Sequence, residues 1–161
     1  MLRIVVLAGS LVALAGVAFA ADPWTGCYQH AYDAAALKNA PRAAFRFFSV
    51  QVLVKDTDVS LTTYPAIVKA AARAGSKTYS SNGVCILTEG KLDCQMDEDG
   101  GHLVLSKTAD GLKADNPDSF YLREVGTTGA DGDMEVKGDR DNRTFALQTA
   151  KPGACSGPLP R

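Results

Sequence analysis

Cys85 and Cys94 bracket the run Ile-Leu-Thr-Glu-Gly-Lys-Leu-Asp, which reads as a β-hairpin turning at Glu89-Gly90. A two-residue loop there sets Thr88 opposite Lys91, Leu87 opposite Leu92, Ile86 opposite Asp93 and Cys85 opposite Cys94. Counted outward from the turn, the cysteines fall on a non-hydrogen-bonded pair, where α-carbons sit about 4.5 Å apart. That separation lies within the reach of a disulfide. The chain has four cysteines, Cys27, Cys85, Cys94 and Cys155, and four allow three connectivities. The hairpin favours Cys85 with Cys94, which leaves Cys27 to tie the first strand to the tail through Cys155. A metal site is the rival use of these residues. It calls for paired C-x-x-C spacing or neighbouring histidines, and neither is present.

Disulfides require an oxidising compartment, and the first twenty residues supply the route to one. Arg3 forms a short positive region, Ile4 to Val17 is apolar apart from small Gly and Ser, and Ala18-Phe19-Ala20 is an A-x-A cleavage site. The apolar stretch is shorter than the roughly 18 residues that a membrane span needs. A lipoprotein anchor is not expected either, because Cys27 follows Trp24-Thr25-Gly26 without the Leu that a lipobox requires. The expected division is a signal peptide over 1–20, one β domain over 21–155 and a flexible tail over 156–161.

The whole chain balances 17 basic against 18 acidic residues, and only Arg3 leaves with the signal. So mild a charge, with no basic cluster interleaved by aromatics, points away from nucleic acid and from anionic membrane as partners.

Along the mature chain the period is mostly two. Thr25 to Ala31 reads as a first strand. Asp33 then caps one or two helical turns that stop at Asn39 and Pro41. Ala44 to Lys55 is the clearest strand: Phe48, Val50, Val52 and Val54 share one face, and Phe47, Ser49, Gln51 and Leu53 share the other. Val59 to Tyr64 returns as a strand. Pro65 to Ala74 is rich in alanine, yet it has no apolar stripe, so strand is favoured over helix. Further strands are predicted over 79–87, 91–96, 102–107, 112–115, 120–125, 134–137 and 144–149. Between them lie the turns Asp97-Glu-Asp-Gly-Gly101, Asp110-Gly111 and Asn116-Pro117-Asp118 and the loop 126–132. About ten short strands with one short helix predict an all-β, disulfide-crosslinked antiparallel barrel or sandwich. Sequence patterning does not separate these two.

The block Tyr32-Asp33-Ala-Ala-Ala-Leu37 with Pro41 resembles the opening of an uncharacterised family of small secreted bacterial β proteins. Cys85 with Leu92-x-Cys94, the turn Asp99-Gly100-Gly101, and Phe145-Ala-Leu147 followed by Cys155 continue the resemblance over most of the mature chain. Ala36 stands where that pattern has His, and Glu98 where it has Cys. The resemblance implies export and a β fold, and no activity. A second resemblance, to lipocalin-type barrels, rests on Trp24 and Gly26 at the first strand. Their order is reversed relative to the lipocalin signature, so ligand binding is not carried across.

Candidate chemistry is sparse. His30 and His102 are the only histidines, and the mature chain has no G-x-S-x-G. Asp97, Glu98 and Asp99 before two glycines suggest calcium. With Gly100 at position six of an EF-hand loop, however, Gln95 falls at one and Ser106 at twelve, and the bidentate carboxylate is missing. A second acidic run, Asp131, Asp133, Glu135, Asp139 and Asp141, mixes with Lys137, Arg140 and Arg143 and reads mainly as a solvated hairpin end. Asp97, Asp99, Asp131 and Asp133 stand as candidate oxygen ligands for a hard cation. Tyr28, Tyr32, Phe45, Phe47, Phe48, Tyr64 and Tyr79 are expected in the core. Asn142-Arg143-Thr144 matches a glycosylation sequon.

No cofactor is expected. Three roles remain: a non-catalytic exported domain binding a small apolar ligand or a periplasmic protein, an envelope hydrolase using His102 and nearby carboxylates, and a structural or inhibitor protein acting through surface loops.

Overall fold

A computed structural model describes residues 22–56, 61–97, 99–128, 132–151 and 153–156. The expected signal peptide, Glu98, Asp131, the start of the predicted strand 59–64 and most of the tail after Cys155 lie outside the described residues.

The elements in chain order are β1 (Gly26–Ala31), α1 (Ala34–Asn39), β2 (Phe45–Val52), β3 (Thr63–Ala72), β4 (Thr78–Thr88), β5 (Lys91–Met96), β6 (His102–Lys107), β7 (Gly111–Asp115), β8 (Ser119–Glu124), β9 (Asp133–Lys137) and β10 (Thr144–Thr149). Every strand pairing is antiparallel, in the order β3-β2-β1-β10-β7-β6-β5-β4-β8-β9. A further pairing of β3 with β4 closes eight of these strands into a barrel and leaves β8 and β9 as an added hairpin. Closure removes the unpaired edges that an open sheet presents. The barrel is thus chosen over the sandwich.

The hairpin register is the one the sequence predicts, with Cys85 opposite Cys94 and Thr88 opposite Lys91. Glu89 and Gly90 both take positive φ, 51° and 75°, the conformation of a type I′ turn whose twist matches its flanking strands. Cys85–Cys94 is bonded, with α-carbons 3.7 Å apart. Cys27–Cys155 closes the second bridge across 128 residues. The tail lies against the outer wall there: Ala150 N–H donates to the Cys27 carbonyl at 2.8 Å, and Lys69 Nζ donates to the Cys155 carbonyl at 2.8 Å. Two disulfides indicate an oxidising, non-cytoplasmic compartment. Among the described residues no helix is long and apolar enough to cross a membrane.

The barrel interior is filled by side chains. Phe48 stacks on Phe145 at 4.4 Å between ring centroids, Phe45 lies 5.7 Å from Phe48, and Phe120 lies 6.0 Å from Phe48. Leu92, Leu103, Leu105, Leu112 and Leu122 pack in the same buried cluster. The alanines that make β3 hard to read follow from this packing. Ala70 lies opposite Phe48 and Ala72 opposite Phe45, so small residues on one strand leave room for rings on the next. Phe45 reaches the core although alternation from Phe48 would turn it outward, because a bulge shifts the register between Phe45 and Phe47. Val54, expected to share a face with Phe48, Val50 and Val52, lies past the end of β2 and is exposed. Tyr32, predicted in the core, is only half-buried.

Helix α1 is the single helical turn and a half that the sequence predicts. Asp33 caps it by accepting from Ala36 N–H at 2.7 Å. Arg73 holds its far end through the carbonyls of Leu37 and Ala40.

Candidate functional site

Strand β4 has 11 residues and its neighbour β5 has 6. Their mismatch leaves a fork in the wall between β5 and β8. On one edge of β4, Gly83 to Thr88 pair with β5, while Tyr79 and Ser80 pair with Glu124 and Arg123 of β8. Ser81 and Asn82 sit at the fork between the two. The turn from β5 to β6 fills the base of that fork. Asp97 N–H donates to the Asn82 carbonyl at 2.9 Å, and Tyr121 N–H donates to the Gly100 carbonyl at 2.8 Å.

Gly101, at φ 76°, bridges to Phe120, and a Cβ there would sit 2.0 Å from the Ser119 carbonyl oxygen. Only glycine permits so close a backbone approach in that conformation. Above this floor opens a cleft of about 650 Å³.

The cleft is lined by Ser80, Ser81 and Asn82 from β4, by Asp97 and Asp99 from the turn, by Tyr121 to Glu124 from β8, and by Thr127 and Asp133 beyond it. Arg123 pairs with Asp133 at 3.4 Å. Lys77 donates to Glu124 at 2.7 Å, and this hydrogen bond, reinforced by the carboxylate charge, raises the Lys77 pKa above its ordinary value. Tyr121 is 41% exposed and Val125, which also lines the cleft, is 61% exposed, so an apolar surface lies beside the polar groups.

Three of the four carboxylates singled out from sequence, Asp97, Asp99 and Asp133, line this one cleft. Asp131 lies outside the described residues. Among the described residues no group of three or more His, Cys, Asp or Glu side chains is placed to hold an ion.

His102 begins β6 opposite Gln95 and is not part of the cleft lining. It makes no hydrogen bond to an Asp or a Ser among the described residues. His30 lies on β1, where Nδ1 is 2.8 Å from the Ala146 carbonyl and the ring meets Tyr32 edge-on at 4.1 Å.

The second acidic run is not simply a solvated hairpin end. Arg140–Asn142 form a 3-10 turn whose Asn142 is buried. Asn142 Oδ1 accepts from Ala44 N–H at 2.8 Å, and Nδ2 donates to the Arg42 carbonyl at 3.0 Å. Asp141 accepts from Arg42 N–H at 2.9 Å. The run therefore fastens the start of β10 to the chain entering β2. The sequon amide is buried in that joint.

Sequence reasoning missed Ser80, Asn82, Tyr121 and Arg123. One signal was available, since the predicted lengths of the two hairpin strands already disagree. No protein-family model, curated protein or solved structure matches the chain.

Proposed function

We propose that this is a non-catalytic binding domain, exported to the periplasm or the cell exterior of a bacterium, that takes its ligand in the cleft between β4 and β8. The observation that carries the reading is where space is found. Phe45, Phe48, Phe120 and Phe145 occupy the barrel interior, while a cleft of about 650 Å³ with convergent polar groups opens in the wall. Ligand sites combine a concave surface with a few placed polar groups. A filled barrel serves as a rigid support for such a site rather than as its container. The leader-like first twenty residues and the two disulfides support export.

The test uses the mature domain and a Ser80→Trp variant, both immobilised and challenged with a soluble envelope extract. Ser80 lines the cleft on a β-strand, where an indole is tolerated and occupies the space a ligand would need. A component retained by the native domain and lost from Ser80→Trp is the expected result. Equal retention on both columns would place binding elsewhere and contradict the reading.

A further inference from the structure

We infer that the cleft ligand is a pyranose saccharide free of acidic groups, a step that rests on the binding role proposed above. The lining sets one exposed aromatic and the exposed Val125 beside a mixed set of polar groups. Tyr121 is the aromatic, 41% exposed, and a phenol offers an apolar face with a polar tip. A pyranose ring has the complementary form, with C–H groups on its faces and hydroxyls around its rim. Each sugar hydroxyl both donates and accepts, so it needs partners of both kinds. The carboxylates of Asp97 and Asp99 accept only, the Asn82 amide does both, and the Ser80 hydroxyl does both. Asp97 and Asp99 spend no side-chain hydrogen bond or ion pair on a described residue, which leaves their oxygens open to a ligand.

Charge narrows the class. Asp97, Asp99, Glu124 and Asp133 line the cleft, and Arg123 is already paired with Asp133. Uronates, phosphates and nucleotides would meet net negative potential there. A strongly basic peptide would find acceptors, but it would leave the Asn82 and Ser80 donors and the Tyr121 face unused, and Arg123 would oppose it. The cleft volume lies inside the range of about 300–1,000 Å³ found for small-ligand pockets.

Calorimetric titration of the mature domain with cellotetraose, chitotetraose, tetragalacturonate and tetralysine, each at millimolar concentration, tests this. The expected result is binding of cellotetraose or chitotetraose, weakened roughly tenfold or more in Tyr121→Ala. Tetragalacturonate and tetralysine should give no heat. Tyr121 is exposed, so its variant should keep the native thermal midpoint, and Asp97→Asn offers a second, isosteric lesion. Binding only of tetralysine or tetragalacturonate, or neutral-sugar binding unchanged in both variants, would overturn the inference. If no tetrasaccharide binds while the extract still yields a component lost from Ser80→Trp, the ligand class is wrong and the binding role stands. If the extract yields no such component either, both fail.

Discussion

At the scale of the residue, the most informative side chain is Asn142, because its role runs against its setting in sequence. It sits in Asp139-Arg-Asp-Asn-Arg143, a run whose charges advertise solvent. Yet it is buried, and its carboxamide joins Ala44 to Arg42. Asn142→Ala should leave that N–H and that carbonyl without their partner, at a cost of about 1–3 kcal/mol, measured as a lowered urea midpoint at unchanged slope. A midpoint within error of the native protein would remove Asn142 from the structural joint. Nothing in the sequence marks this residue as buried, since burial of a polar group depends on what the rest of the chain places over it. Cys85 and Cys94 were legible for the opposite reason. They lie nine positions apart, and their pairing is set by the two-residue turn between them, with no reference to the remainder of the fold.

Elements show the same division between local and distant causes. Strands β6 and β10 fall where alternation places them, and α1 begins at its Asp33 cap. The alanine run 65–74 is strand, as favoured, though it joins the end of the predicted strand 59–64 in the one strand β3; the bulge at Phe45 was not legible, because it answers to phenyl rings arriving from other strands. The β5–β6 turn is the element on which the cleft depends. There Gly101 carries both a positive φ and a contact that forbids a Cβ, whereas Gly90 carries the positive φ with nothing within 4 Å. Gly90→Ala should therefore cost about 1 kcal/mol from backbone conformation alone, and Gly101→Ala distinctly more. Thermal unfolding of the two variants side by side checks this. Equal losses would mean that β8 does not lie against the turn as described.

For the whole molecule, composition and strand count led to an all-β crosslinked domain, and closure was the part that could not be read. Barrel and sandwich share a period of two; what separates them here is the seam of β3 with β4, eleven residues of strand meeting ten. The Cys27–Cys155 bridge then ties the first strand to the last described segment, and a loop of that length contributes up to about 4–5 kcal/mol by restricting the unfolded chain. The cleft is a property of this scale too, for it exists only because β4 divides one edge between β5 and β8. Nuclear Overhauser spectroscopy of the β domain addresses that division directly. Cross-strand Hα–Hα contacts should join Cys85 to Cys94 and Tyr79 to Glu124, both along the same edge of β4. If Tyr79 showed no contact with Glu124, or if β5 paired along β4 past Gly83, there would be no fork in the wall and no site within it.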